Sequence, residues 1–280
     1  MNAPVIYIFN LKGGVAKTTT AVNLASVLGE MGKRTLVVDL DPQCAATWSL
    51  GISPQNIANS TYSALMGKKP FPEIIKKSNF ANVSVAPASE ELYGLDIDIQ
   101  KVDSDWETLL TKALEPVKRD YDAIVIDSHN KYGFTEVNAL VASDYLVIPV
   151  SCSILPFWGL NQLHHLIDRA EAMYGHHVDI LGYLLTMFHR KIPVLHSESK
   201  DIERQLRAQY ADKVFTTVID FDENIDQATW KQEPIAYYQR HAKGSKEFDQ
   251  LGQEVIERIS NGHNHDPKVE ANKGGVMVNG

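Results

Sequence analysis

Cysteine is scarce: Cys44 and Cys152 stand alone in 280 residues, and no Cys-x-x-Cys pair occurs. That excludes a disulfide-stapled scaffold and points to a reducing cytoplasm. Long apolar runs are missing too, and none approaches the ~20 residues that a membrane-crossing helix needs. The opening MNAPVIYIFN lacks both the basic start and the long apolar stretch of a secretory leader, so it reads as a first buried strand. Positive charge is in deficit, 27 Lys and Arg against 35 Asp and Glu, for a net charge of −8. This argues against coating nucleic acid by bulk charge and leaves room only for a local basic patch. Apolar content, by contrast, is ordinary at 44%. The chain is too hydrophobic to be disordered and long enough for one large α/β domain or two small ones.

Residues 5–9 form a short apolar run that passes into a glycine-containing loop, 10–16. Residues 18–31 then place Ala21, Leu24, Ala25 and Leu28 at helical spacing, with Gly32 as a stop. A second apolar run, 35–40, closes on Asp39 and Asp41. Further strands are predicted at 123–126, 145–150 and 180–186, and helices at 106–117, 135–142, 160–174 and 197–210. A last helix at 246–259 gathers Phe248, Leu251, Val255, Ile256 and Ile259 on one stripe that faces the core. The alternation predicts an α/β fold, a doubly wound and mostly parallel sheet flanked by helices, as one domain over residues 1–260. The Gly/Asn-rich tail, 261–280, predicts disorder, and His263 and His265 within it are too few to hold a metal.

The most informative stretch is Leu11-Lys12-Gly13-Gly14-Val15-Ala16-Lys17-Thr18-Thr19, between a strand and a helix. Consecutive glycines let backbone N–H groups turn inward on an anion, and the following helix aims its positive end at the same spot. Lys17 can reach β/γ-phosphates, and the Thr18 hydroxyl can ligate Mg²⁺. The strict phosphate-loop pattern is not met, because Leu11 and Ala16 stand where its glycines would be. The stretch resembles instead the deviant Walker A motif, K-G-G-x-G-K-[ST], of the ParA/MinD family of ATPases.

That resemblance implies ATP/ADP held by Lys12 through Thr19. It also implies a signature lysine, Lys12, that reaches across an ATP-dependent homodimer to the partner's nucleotide. Asp39-Leu40-Asp41-Pro42-Gln43 resembles the family's D-x-D-P-Q segment, which makes Asp41 the residue that positions the attacking water and puts Asp39 near the metal's water shell. Read without the family, the two acids serve equally as caps for a helix beginning near Ala45. The apolar run ending at Asp127 resembles a Walker B segment, with Asp127 holding Mg²⁺ through a water. Family members commonly continue D-x-P-P. Here Asp127-Ser128-His129-Asn130 stands instead, which predicts a looser switch segment in which His129 either replaces the proline packing or contacts the partner. Met187 falls in a stretch like the one that packs near adenine in the family.

The likeness runs over residues 5–260 and fits the ParA/Soj subgroup best; the basic amphipathic membrane helix of MinD has no counterpart, so no membrane partner is expected. It implies a slow, partner-stimulated, Mg²⁺-dependent ATPase, cytoplasmic or nucleoid-associated, with a ParB-like activator and nonspecific DNA as partners. Where the family carries the basic segment V-I-P-R-N-V-R-L-S-E-A, residues 218–228 here contain Asp220, Asp222, Glu223 and Asp226 and no arginine. The remaining DNA-binding candidates are Arg190, Lys191, Lys231, Arg240, Lys243 and Lys246, the last four expected to cluster near the last helix. Two outcomes therefore stand open: partition of DNA, or positioning of a protein cargo (at the limit, an ATP-holding scaffold). A cluster-bearing ATPase like the nitrogenase iron protein is disfavoured, since neither cysteine has a partner at ligand spacing.

Overall fold

A computed structural model of the chain describes residues 2–99, 105–152 and 156–262. Eight strands make one sheet: β1 (Val5–Ile8), β2 (Thr35–Asp39), β3 (Lys76–Lys77), β4 (Val83–Ala86), β5 (Ala123–Asp127), β6 (Tyr145–Ser151), β7 (Asp179–Phe188) and β8 (Val214–Asp220). Their order is β3-β4-β2-β5-β1-β6-β7-β8, and every pairing is parallel except that of β3 with β4.

Strands β1, β2, β5 and β6 are buried along their whole length. That is why they read as unbroken apolar runs, since a parallel sheet is covered on both faces. Alternate side chains feed two cores. Tyr7, Leu36, Val38, Ile124, Ile126 and Ile148 face one layer of helices, among them Phe134–Ala142, Pro156–Tyr174 and Pro193–Tyr210. Ile6, Ile8, Val37, Val125 and Val147 face the other, made chiefly by the helices Lys17–Glu30 and Lys243–Gly262. Those two helices meet at Gly252, where an added Cβ would lie 2.9 Å from Val27 Cγ2. The expected α/β, doubly wound, mostly parallel architecture is the one observed.

Three strands escaped the sequence pattern: β3, β4 and β8. The last helix begins three residues before its predicted start and runs through Gly262, so Asn261 and Gly262 belong to it and not to a tail. Residues 263–280, with His263 and His265, lie outside the described residues. The predicted helix at 106–117 is instead a short 3-10 turn, Trp106–Thr108, followed by the helix Leu109–Leu114.

Both sheet edges are protected. At β8 the ladder with β7 is irregular, and the N–H groups of Thr216 and Thr217 donate to the Glu254 carboxylate at 2.8 and 2.9 Å. Arg258 adds bonds to the carbonyls of Leu181 and Val214. The opposite edge, β3, is only two residues long, both lysine, a length and charge that discourage pairing with another chain. No helix among the described residues is long and apolar enough to cross a membrane.

From β1 the chain crosses to β2 on one side, and from β5 it crosses past β1 to β6 on the other. Such a reversal opens a crevice beyond the carboxyl ends of the strands, where open α/β sheets bind ligands.

Candidate functional site

The loop after β1 is tied down before it turns. Asn10 donates its side-chain amide to the Pro149 carbonyl at 2.8 Å and accepts from the Lys12 N–H at 2.9 Å. Gly14 sits at φ 70°, and Ala16, immediately before the helix Lys17–Glu30, sits at φ 64°. A left-handed conformation costs an L-residue with a Cβ roughly 1–2 kcal/mol, which is why glycine suits this position. Ala16 is held there regardless: its carbonyl accepts from the Thr20 N–H at 2.9 Å and the Thr20 hydroxyl at 2.7 Å. From β7, the Thr186 hydroxyl donates to the Val15 carbonyl at 3.2 Å.

Lys17 is 8% exposed, and its ammonium curls back to the Lys12 carbonyl at 3.3 Å. Burial lowers its pKa, against the opposing pull of Asp127, Asp41 and Glu136. Lys12 lies exposed on the rim.

The carboxylates arrive on adjacent strands. Asp39 and Asp127 are register partners at the ends of β2 and β5, and both are fully buried. Asp39 is heavily engaged: Oδ1 accepts from the Asp41 N–H at 3.0 Å, and Oδ2 accepts from the Thr47 N–H at 2.8 Å and the Thr47 hydroxyl at 2.7 Å. Burial nonetheless pushes its carboxyl up to about 6. Asp39 thus caps the helix Ala45–Ser49 from below, while Asp41 accepts from the Gln43 N–H at 2.8 Å and faces the crevice. The two acids, to which the family resemblance gives different roles, also have different surroundings.

Asp127 is the outlier. By hydrogen-bond geometry neither of its oxygens has a partner among the described residues, although the Thr18 hydroxyl is close enough to lower its pKa. Burial, then the neighbouring Asp39, drive its carboxyl well above the usual range, against the pull of Thr18 and Lys17. An orphaned, fully buried carboxylate is costly unless something cationic completes it. Mg²⁺ fits that requirement. Among the described residues no three His, Cys, Asp or Glu converge as a cage, which suits an ion that keeps its waters and takes its other ligands from phosphates. Cys44 and Cys152 are free and buried, and burial pushes each thiol up to about 12, which disfavours the thiolate.

A pocket lined by Gly13, Gly14, Val15, Ala16, Lys17, Thr18 and Thr19 also includes Asp41, Gln43, Ser128, His129 and Asn130. A second pocket shares Gly14, Ala16 and Thr19 with it and adds Met187, Ile219, Asp220, Phe221, Asp222, Ile225 and Asp226. The structure therefore brings the loop, Asp41 and, at one remove, Met187 to one crevice, with Asp39 and Asp127 beneath. Sequence reasoning does not single out Gln43 or Asn130 as lining residues, and it reads residues 218–228 only against the family's basic segment, not as a pocket wall. His129 pairs within its own chain: Nδ1 is 2.7 Å from Glu136 Oε1, and this contact raises the histidine's pKa.

Among the DNA-binding candidates, Arg190 and Lys243 pair with Asp220 in the wall of the second pocket, and Lys191 is exposed nearby. Arg240 pairs with Asp249 and Glu30, and Lys243 also with Glu247. Lys231 and Lys246 are exposed.

Comparison with known proteins fits this geometry. A family model described as an AAA domain matches residues 3–180. The chain is 36% identical over 251 residues to the sporulation initiation inhibitor protein Soj of Bacillus subtilis, covering 90% of this chain and 97% of that one. It is 34% identical over 254 residues to the chromosome partitioning protein ParA of Myxococcus xanthus, covering 91% and 88%. Among solved structures, cobyrinic acid a,c-diamide synthase from Mycobacterium smegmatis with bound ADP and magnesium superposes with a TM-score of 0.79 at 24% identity, covering 93% of this chain and 96% of that one. At that identity the last likeness concerns the fold alone.

Proposed function

We propose, because this chain belongs to the ParA/Soj family of partition ATPases, that it is a Mg²⁺-dependent ATP hydrolase that positions a cargo by cycling between an ATP-bound dimer and a released state. The observation that carries this reading is Asp127, a buried carboxylate without a hydrogen-bond partner, beneath a glycine loop that also holds the buried Lys17.

Each residue has a task in that scheme. Backbone N–H groups of residues 13–19 cradle the phosphates, and Lys17 neutralises the β/γ oxygens. Thr18 and Asp127, with Asp39 beside them, are the residues that would hold Mg²⁺, and the ion would supply further charge neutralisation. Asp41 accepts a hydrogen bond from the attacking water and holds it in line, since phosphoryl transfer needs positioning and electrostatics more than covalent help. Met187 and the wall at 219–226 take the base. Lys12, on the rim, reaches the partner protomer's nucleotide. A ParB-like activator and nonspecific DNA are the partners this scheme calls for, in the cytoplasm or on the nucleoid.

The test is a pair of variants. Lys17→Ala loses ATP binding in calorimetry. Asp41→Ala keeps ATP binding, lowers phosphate release by about a hundredfold or more, and accumulates dimer on light scattering. Parental turnover by Asp41→Ala would falsify its assigned role. A second reading, positioning of a protein cargo or an ATP-holding scaffold, is favoured by Asp220, Asp222, Glu223 and Asp226, an acidic run that repels phosphate backbones.

A further inference from the structure

We propose that duplex DNA docks on the lysine-flanked turn at residues 68–77, on the β3 edge of the sheet, and not on the C-terminal face. The inference rests on the DNA-partition reading above.

On the C-terminal face three of the cations are engaged: Arg190 is held by Asp220 at 2.7 Å, Lys243 by Asp220 and Glu247, and Arg240 by Asp249 and Glu30. Lys191, Lys231 and Lys246 are exposed there, but so are Glu223 and Asp226, so a phosphate approaching that face meets charge of both signs.

The other end of the sheet is the reverse. Residues 68–77, KKPFPEIIKK, carry four lysines and one acid, Glu73, a local charge of +3 (4 − 1) within a chain of −8. All four lysines are exposed. Among the described residues the ammonium groups of Lys69, Lys76 and Lys77 meet no carboxylate. Lys68 is braced by Tyr62, with Nζ 4.4 Å over the ring and 3.4 Å from its hydroxyl, which in turn donates to Asp98.

The turn is also a rigid mount. Phe71 and Ile74, between the two lysine pairs, are buried in the main core, and β3 pairs with β4 on one side only. The backbone under the lysines is therefore fixed before binding, and the ordering cost that remains is that of their side chains. The platform is joined to the crevice as well: the Thr61 hydroxyl, at the start of the helix Thr61–Leu65 that leads into it, donates to the Asp39 carbonyl at 2.9 Å.

The experiment uses the full chain with Mg²⁺, a nonhydrolysable ATP analogue and a fluorescent duplex of arbitrary sequence, titrated from about 50 to about 200 mM salt. Each lysine on a phosphate contributes about −0.9 to the slope of log K against log salt. Changing Lys68→Gln, Lys69→Gln, Lys76→Gln and Lys77→Gln together should flatten that slope by about 3.6 per protomer and weaken binding at least about a hundredfold. Thermal unfolding of the variant, with all four positions on the surface, checks that the fold is intact. Unchanged DNA binding by this variant, with loss instead in Lys231→Gln/Lys246→Gln, overturns the assignment and leaves the DNA reading standing. No binding by the unaltered protein overturns the assignment as well; phosphate release, measured separately, then judges the ATPase reading by itself.

Discussion

Ala16 shows how a single methyl group sets a local energy. The loop needs a left-handed residue just before its helix, and this chain supplies one with a Cβ. Ala16→Gly removes strain of roughly 1–2 kcal/mol and returns part of it as unfolded-chain entropy, so a net gain of about 0.5–1 kcal/mol is expected in urea unfolding. Lys17, Asp41 and Asp127 were legible in the sequence because each belongs to a short local pattern at a strand end. The engagement of Asp39 was not, because the Thr47 donor that occupies it becomes a neighbour only when the chain folds back. The pocket wall at 219–226 was hidden for a related reason. It lies some two hundred residues from the loop in sequence and reaches it only through the sheet order, and its acids look like any solvated face.

At the scale of elements, legibility followed burial. β1, β2, β5 and β6 announced themselves because a strand covered on both faces has no polar alternation to confuse it. β4 is four residues with a serine inside, β8 carries two threonines midway, and β3 is two lysines whose strand character comes only from pairing with β4. The Glu254 clasp on β8 yields a pH prediction. Burial alone would raise this carboxyl, but the Thr216 and Thr217 N–H groups and Arg258 outweigh it and hold it below the usual range. A folded-state pKa below the unfolded one contributes stability above the unfolded value, about 4.3, and loses it as pH falls through the folded one. Acid unfolding should therefore be less steep in Glu254→Gln than in the parent, with the variant weaker by about 1–2 kcal/mol at neutral pH, where two N–H donors lose their carboxylate.

For the whole molecule, the proposed ATP-bound dimer turns on Lys12. It stands exposed on the rim of the crevice, five positions from the buried Lys17, so the two ammonium groups have different surroundings. Lys12→Ala should keep ATP binding within a few-fold and lose the ATP-induced dimer in sedimentation. Loss of binding along with the dimer would place Lys12 on its own protomer's nucleotide instead.

The treatment of the sheet's two margins also limits what larger assemblies this protein can build. One margin is clasped by a carboxylate from its own C-terminal helix, and the other ends in a two-residue lysine strand. Both features work against continuing the sheet from one copy to the next. An array of copies would then rest on side-chain surfaces or a shared template, and be as reversible as the contacts that recruit it.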